Sequence, residues 1–463
     1  MRKNLATSLL INKNMTYLKP IIGLSLLSVL MLFCAPTNEL TSDNNQSQFI
    51  PSWYSADGYS SDSTTVSYFY VSHSVDSLSS IEMAKKAREL SATGKHVISL
   101  SLGEPDFDTP DFIKAAANEA MEQNYTHYMP IPGFADVRAS IAAKFKRDNR
   151  LEYTPDQIVV STGAKQSLLN VFLTLVNPGE EIIIPAPYWV SYMDQAKYCE
   201  GVVKTIPTSK ESGFKITAAQ LESAITEKSK VLIFSSPNNP CGAIYTRSEL
   251  AAIAEVVAKH PNLYIISDEI YELLNYGEVE HVSIASFPEV YNQTITVNGL
   301  SKGFAMTGWR IGYIGAPEWI AKACTKFQSN FTSGANSVAQ RACKAAVEAD
   351  PSKVKYMVDT FAQRREKMVS WMNAIPGFEL DTPPGAFYVF PRITALLGKS
   401  FKGKRIINSM DLSFFLLEEA LVSTVPGDAF GLAGYIRFSY AAAEADLEEA
   451  VRRVREAVSK LED

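Results

Sequence analysis

A regular alternation of short apolar runs and helical segments most restricts the fold of this chain. Helical periodicity marks residues 165–176 and 250–258. The apolar runs with the length of strands are residues 157–161, 181–184, 231–234, 263–266 and 294–297. Strands of this kind that alternate with helices are typical of a mostly parallel sheet covered on both faces. The sequence therefore predicts an α/β fold, in which ligands bind beyond the carboxyl ends of the strands.

Composition sets outer limits on the class of protein. The 463 residues include 44 Lys and Arg against 50 Asp and Glu, which makes the net charge -6, and 46% are hydrophobic. This balance is typical of a globular protein and does not indicate nucleic acid as a partner. The five cysteines have no paired or metal-ligand spacing, which favours a reducing compartment over a disulfide framework or a zinc site.

The first 77 residues differ from the rest of the chain. Residues 21–33 are apolar or small throughout, too short for a membrane span but of the length of a signal-peptide core, and Cys34 follows as in a lipoprotein. Residues 38–77 are rich in Ser, Asp, Asn and Thr and predict a disordered linker. A targeting or anchoring segment and an unstructured or over-long extension remain open alternatives. A membrane is a partner only if the apolar segment is a real anchor, so we exclude residues 1–77 from the fold argument.

Lys302 is the foremost chemical candidate at a strand end. It follows the predicted strand 294–297 and lies among small residues such as Ser301 and Gly303. Burial in such a setting lowers the pKa of a lysine and frees its neutral amine to attack a carbonyl. Arg310 offers a planar fork of donors to a phosphate. Together they indicate pyridoxal phosphate, whereas each alone would more often be a solvated basic residue near a turn.

Other predicted strands end in groups that suit the same ligand. The turn 163–165 opens a helix whose free N–H groups and dipole favour a phosphate. Trp189 could stack on a planar ring or pack in a core, and Asn239 could donate to a phenolate oxygen or form an Asn-Pro turn. Asp268 could pair with a protonated ring nitrogen or cap a helix. Tyr271 could reach the adjacent ring oxygen.

Two further segments offer groups for a carboxylate. Residues 103–110 predict a tight loop with backbone N–H groups that could face one. Arg437 is the only charged residue of the predicted strand 435–440, and an arginine inside an apolar strand needs a buried anion. A substrate α-carboxylate bound by the guanidinium fork and a structural Asp or Glu are the two alternatives.

Six segments, taken in order, resemble a known family. They are Gly-Glu-Pro-Asp-Phe (103–107), Tyr-Trp-Val-Ser-Tyr (188–192), Ser-Pro-Asn-Asn-Pro (236–240), Ser-Asp-Glu-Ile-Tyr (267–271), Ser-Lys-Gly-Phe-Ala-Met-Thr-Gly-Trp-Arg (301–310) and Arg-Phe-Ser-Tyr-Ala (437–441). From about residue 79 onward the chain resembles the class I, fold-type I, pyridoxal-phosphate aminotransferases, in particular the bacterial-type aspartate aminotransferase branch. The resemblance implies a large domain, residues 113–345, with a mostly parallel seven-stranded sheet between helices. It also implies a smaller α/β domain formed by residues 78–112 and 346–463.

The resemblance assigns roles to the candidate residues. Lys302 would form a Schiff base with the cofactor and shuttle the substrate proton, and Asp268 would keep the pyridine nitrogen protonated. The other implied cofactor contacts are Gly163, Ala164, Lys165, Trp189, Asn239, Tyr271, Ser301 and Arg310. The implied substrate contacts are Gly103, Trp189, Asn239 and Arg437. Tyr128 would reach the phosphate held by a partner subunit, so a homodimer is implied.

The implied reaction is reversible transamination between an amino acid, foremost L-aspartate, and a 2-oxo acid, foremost 2-oxoglutarate, in the cytoplasm. An aminotransferase of aromatic or broad specificity that includes prephenate is an alternative, as are a lyase on the same fold and a pyridoxal-binding regulator. Members that accept prephenate tend to carry Lys-Pro-Ser before the first helix, where this chain has Val75-Asp76-Ser77. The regulator would need a DNA-binding helix-turn-helix, for which residues 1–78 contain no basic amphipathic helices. The residue that recognises the substrate side chain stays open.

Overall fold

A computed structural model describes residues 85–463, whose strands form four separate sheets. In chain order the strands are β1 (Ile98–Ser99), β2 (Ile158–Ser161), β3 (Glu181–Pro185), β4 (Val202–Ile206), β5 (Ser229–Ser235), β6 (Tyr264–Asp268), β7 (Thr294–Gly299), β8 (Gly312–Gly315), β9 (Tyr388–Val389), β10 (Ser400–Phe401), β11 (Lys404–Arg405), β12 (Val422–Ser423), β13 (Val425–Pro426) and β14 (Ile436–Ser439). The α-helices are α1 (85–92), α2 (Asp111–Glu122), α3 (Ala135–Asn149), α4 (Ala164–Leu175), α5 (Val190–Tyr198), α6 (Ala218–Ala224), α7 (Arg247–Ala258), α8 (Glu318–Phe331), α9 (Ser337–Glu348), α10 (Lys355–Asn373), α11 (Ser409–Phe415) and α12 (Glu444–Val458).

The largest sheet has seven strands in the order β2-β8-β7-β6-β5-β3-β4. Strands β4, β3, β5, β6 and β7 pair in parallel with their neighbours, whereas β8 is antiparallel to both β7 and β2. The prediction of a mostly parallel sheet is confirmed. Because β8 is reversed, its amino end lies at the edge where the other six strands end.

Most predicted elements are present, with shifted ends. Helix α4 is displaced by one residue from the predicted helix 165–176, and α7 begins three residues before the predicted helix 250–258. The edge strand β4 and the reversed strand β8 were not predicted. Strand β4 is half exposed and its sequence includes polar residues, while β8 begins and ends with glycine, so neither has an unbroken apolar run.

The central strands are apolar throughout because both faces of the sheet are covered. In β3, Ile182 and Ile184 pack into one core with Val231, whereas Ile183 packs into another with Leu232 on the opposite face. A further core joins β9, β14, α10 and α12. The predicted division into residues 113–345 and a discontinuous smaller domain stays a prediction.

The predicted signal-like segment and linker, residues 1–77, lie outside the described residues. Between residues 85 and 463, none of the helices is long and apolar enough to cross a bilayer.

Candidate active site

The groups predicted at the strand ends surround one cavity of about 500 Å³. This volume lies in the range of small-molecule sites. The predicted residues in its walls are Gly103, Ala164, Lys165, Trp189, Asn239, Asp268, Tyr271, Ser301, Lys302, Arg310 and Arg437. Gly163 adjoins the cavity because its backbone lies against the side chain of Arg310. Tyr128 lies elsewhere, on the surface of this chain, with 96% of its area exposed.

Strand direction explains why residues far apart in sequence meet here. Asp268 ends β6 and lies beside Val297 of the parallel strand β7, and Lys302 follows the end of β7. Asn239 follows β5, at the same edge. Arg310 precedes the reversed strand β8, so it reaches this edge from the opposite direction.

Lys302 is partly buried, so its amine is shielded from solvent. Burial lowers the pKa of the Lys302 ammonium to about 8, and the positive charge of Arg437 acts in the same direction. Glu104 and Asp268 oppose this shift. The Lys302 Nζ donates a hydrogen bond to the carbonyl of Gly103. A substantial fraction of neutral amine near physiological pH makes Lys302 a competent nucleophile and base.

Asp268 is a buried carboxylate with two donors. Only 4% of its surface is exposed, and burial raises the pKa of its carboxyl to about 6. The Tyr192 hydroxyl donates to its Oδ2 at 2.6 Å and the Ile270 N–H to its Oδ1 at 3.2 Å. A turn follows β6, so Asp268 does not cap a helix. It is ionised at neutral pH and can neutralise a buried cation.

Arg437 is a buried cation that meets no carboxylate in the described part of the chain. Its Nη1 donates to Asn239 Oδ1 at 2.8 Å and its Nη2 to the Ser101 carbonyl at 2.6 Å. The guanidinium lies over the rings of Tyr388 and Phe430, 4.4 and 5.0 Å from their centroids. No carboxylate within residues 85–463 forms a salt bridge with it, and its buried Nε lacks a partner there. The structural Asp or Glu is therefore not present in the described chain, and an incoming carboxylate would complete the site.

Neutral hydroxyl groups line the wall between Asp268 and Arg437. The hydroxyls of Tyr271 and Tyr388 are hydrogen-bonded at 2.8 Å, and both rings are buried. Burial raises the pKa of each phenol, so both stay protonated. One hydroxyl donates to the other, which leaves one proton of the pair for a ligand.

The turn before α4 and the Arg310 side chain form a corner suited to an anion. Gly163 has φ +82° and no side chain with which to cap the first N–H groups of α4. Arg310 is exposed, and its Nη1 donates to the Thr307 carbonyl at 2.8 Å. Lys165 lies over the Trp189 ring, 4.9 Å from its centroid, and burial lowers the pKa of its ammonium.

We predict that Gly312→Ala destabilises this corner. A β-carbon at Gly312 would lie 2.1 Å from the backbone nitrogen of Ala164, and neither backbone can rotate away. We expect the free energy of unfolding to fall by about 1–3 kcal/mol, measured by denaturant titration of the full-length protein. At Gly308, nothing in the described chain lies within 4 Å of an added β-carbon, so Gly308→Ala is the matched control. Equal stability of the two variants would contradict the packing.

Sequence reasoning missed several residues of the cavity wall. Tyr192 binds Asp268, Tyr388 supports Arg437 and Tyr271, and the Thr307 hydroxyl donates to Glu104. Tyr192 could have been found, because it lies three residues after Trp189 at the start of a helix and shares its face. The contacts of Tyr388 and Thr307 join distant segments, so no local pattern indicates them.

Comparisons with known proteins identify relatives across most of the chain. The profile of the aminotransferase class I and II family matches residues 95–454. A probable aspartate/prephenate aminotransferase of Rhizobium leguminosarum bv. phaseoli is 45% identical over 377 residues, which cover 81% of this chain and 94% of the relative. A bifunctional aspartate aminotransferase and glutamate/aspartate-prephenate aminotransferase of Petunia hybrida is 45% identical over 390 residues, or 83% and 81% of the two chains.

A solved structure shares the fold. The crystal structure of the aspartate aminotransferase from Rhizobium meliloti superposes with a TM-score of 0.82 at 41% identity, over 84% of this chain and 98% of that one. The predicted resemblance and fold class are thereby confirmed.

Proposed function

The chain belongs to the family of class I and II aminotransferases, and on this premise we propose that it transfers amino groups reversibly between L-aspartate and 2-oxoglutarate. The family establishes transamination, whereas the choice of aspartate is supported by the names of relatives such as the Rhizobium meliloti enzyme. The observation that carries the proposal is one cavity in which three groups meet: a lysine of lowered pKa, a buried carboxylate, and a buried arginine that forms no salt bridge within residues 85–463.

Pyridoxal 5′-phosphate is the cofactor of this family, and the cavity offers a partner for each of its groups. When bound, it supplies an aldehyde that condenses with amines and a ring that accepts electrons. We assign Lys302 to the aldehyde, Asp268 to the ring nitrogen, and Arg310 with the start of α4 to the phosphate. The lowered pKa of Lys302 and the open N-terminus at Gly163 support this fit.

Further wall residues would hold the flat ring in place. We assign Trp189 to its face, because the indole lies at the cavity wall before α5. Tyr271 and Asn239 are neutral donors suited to the ring oxygen, and Ser301 is a buried hydroxyl beside Lys302.

The protein's own groups then divide the work of proton transfer. Arg437 binds the substrate α-carboxylate through its guanidinium fork, with Asn239 and the backbone at Gly103 beside it. Binding of the carboxylate by Arg437 orients the α-carbon of the substrate. The neutral amine of Lys302 then takes a proton from this carbon and later returns one. Asp268, ionised at neutral pH, keeps a proton on the ring nitrogen.

We also propose a homodimer in which Tyr128 of one subunit reaches the phosphate site of the other. Family members are typically dimeric. Tyr128 is almost fully exposed in one chain, and an open groove of about 710 Å³ lies beside Arg310, with Phe107 and Trp309 in its walls. A tyrosine exposed to this extent, on a chain with an open groove beside Arg310, favours a protein interface.

The predicted cytoplasmic location remains a proposal for the catalytic part. Four cysteines of the described chain are buried and unpaired, which supports a reducing compartment.

Prephenate is a second candidate acceptor. The relatives from Rhizobium leguminosarum and Petunia hybrida carry prephenate in their names. The missing Lys-Pro-Ser element before the first helix counts against it, so we place prephenate behind 2-oxoglutarate.

Absorption spectroscopy of the full-length holoenzyme tests the substrates. L-aspartate should shift the near-visible band of the bound cofactor, and 2-oxoglutarate should restore it, because each completes one half of the reaction. D-aspartate, which presents the α-hydrogen to the wrong side, is the control and should leave the band unchanged.

The same experiment separates the alternatives. A band that responds to aromatic amino acids but not to aspartate would contradict the aspartate assignment and leave transamination intact. If prephenate rather than 2-oxoglutarate restored the band, prephenate would be favoured as the amino acceptor. A holoenzyme whose band no amino acid changes would contradict the proposed function.

A further inference from the structure

Tyr192, on helix α5, donates a hydrogen bond to the carboxylate of Asp268. We propose that Tyr192 is a positioning residue, which keeps Asp268 ionised and aimed at the cofactor ring nitrogen. The inference rests on the proposed function, because Tyr192 acts only through Asp268. Its hydroxyl donates to Asp268 Oδ2 at 2.6 Å, a short distance of the kind seen when the acceptor carries charge.

The Tyr192 ring is buried and packs against its neighbour Trp189. It is the third residue of α5, and only 1% of its surface is exposed. Its edge packs against the Trp189 indole with 5.6 Å between centroids and an interplanar angle of 88°. Its N–H donates to the Trp189 carbonyl at 3.0 Å. One helix turn therefore presents the ring proposed to stack on the cofactor and the hydroxyl that holds its counter-ion.

Ser235 is a second polar neighbour of the Tyr192 hydroxyl. Asn238 Nδ2 donates to Ser235 Oγ at 3.2 Å, and the Ser235 hydroxyl lowers the pKa of the Tyr192 phenol, against the larger effect of burial. Ser235 lies opposite Asp268 in the pairing of β5 with β6. A phenol has one proton to give, and the 2.6 Å hydrogen bond to Asp268 Oδ2 is where Tyr192 gives it.

The groups around Asp268 shift the pKa of its carboxyl in opposite directions, so the Tyr192 hydroxyl affects whether that carboxyl stays ionised. Burial raises the pKa of the carboxyl, and the charge of neighbouring Glu269 adds to the rise. The Tyr192 hydroxyl, the Ile270 N–H and the charge of Lys302 lower it. Loss of the hydroxyl removes the donor with the largest lowering effect, so the pKa of Asp268 must rise toward neutrality. A protonated Asp268 no longer provides a counter-charge for the ring nitrogen.

Binding of two cofactor forms tests this role without measuring turnover. Full-length protein, freed of cofactor, is reloaded with pyridoxal phosphate or with the analogue in which carbon replaces the ring nitrogen. We expect Tyr192→Phe to weaken binding of pyridoxal phosphate about tenfold near neutral pH and to leave binding of the analogue unchanged. Tyr153→Phe is the matched control, because it also removes one buried hydroxyl, which is bonded to Thr296 at 3.0 Å outside the cavity wall.

The pH profile of the holoenzyme provides the second readout. The acidic limb of kcat/KM should move upward by about one pH unit in Tyr192→Phe. Ser235→Ala should move it in the same direction by less, because Tyr192 then keeps the hydroxyl that donates to Asp268 and loses only its second polar neighbour. If Tyr192→Phe does not fold, this shift in Ser235→Ala still decides the inference.

The outcomes separate this inference from the proposed function. Equal weakening of both cofactor forms, or an acidic limb unmoved in both variants, would overturn the positioning role and leave transamination intact. If wild-type protein bound the two cofactor forms equally well, the proposed pairing of Asp268 with the ring nitrogen would be wrong. The positioning role of Tyr192 would then be wrong as well.

Discussion

Replacement of Lys302 by alanine is expected to reduce transamination by at least about 10²–10⁴-fold, because it removes the base that moves the substrate proton. It also removes the amine assigned to the cofactor aldehyde, so the near-visible band of bound cofactor should change in the absence of substrate. The rate of the half-reaction with L-aspartate and the absorption spectrum check the two effects separately.

Lys322→Ala is the matched control for this variant. Lys322 lies on the exposed face of α8 and forms a salt bridge with Glu318 at 2.6 Å, remote from the cavity wall. Its replacement should leave rate and spectrum at wild-type values, since exposed ion pairs contribute little. A Lys302→Ala variant that retained the wild-type band and rate would show that another amine does this chemistry.

Arg437→Lys is expected to lower kcat/KM for L-aspartate by about 10²–10³-fold, because an ammonium cannot form the two parallel hydrogen bonds of a guanidinium with a carboxylate. The lysine would also lose the contacts to Asn239 and to the Ser101 carbonyl in their present geometry. Cofactor binding should change little, since no cofactor group is assigned to Arg437. Steady-state kinetics and cofactor titration measure the two quantities.

Arg452→Lys provides the control on the exposed face of α12, where Arg452 pairs with Glu449 and Glu456. It should retain wild-type kinetics. If Arg437→Lys weakened cofactor binding and left the KM for aspartate unchanged, Arg437 would belong to the cofactor site, and the carboxylate assignment would be wrong.

The meeting of the candidate groups in one cavity was largely predictable because it follows local pattern. Each of Asn239, Asp268 and Lys302 comes at or directly after an apolar run, and the ends of parallel strands meet at one edge of a sheet. Arg437 stood out as the only charge in its strand, and the described structure gives it no carboxylate. The site roles themselves stay proposals until variants are measured.

The arrangement of neighbouring groups was not predictable from pattern. Strand β8 has too short an apolar run to be recognised, yet its reversal carries Arg310 to the cavity edge. Tyr388 is far from Arg437 and Tyr271 in sequence. The pairing of β9 with β14 brings it to Arg437, and the shared core with the turn after β6 brings it to Tyr271.

The sequence by itself determined the mostly parallel α/β fold, the family and the types of chemical group at the strand ends, because apolar runs and motifs are local and the ends of parallel strands coincide. Only the tertiary structure decided the protonation state of those groups and the direction of their hydrogen bonds. The pKa of Lys302 falls and that of Asp268 rises through burial, and the hydroxyl that restrains Asp268 comes from another element. Desolvation and hydrogen-bond direction depend on which distant surfaces pack together, and a linear pattern does not contain that information.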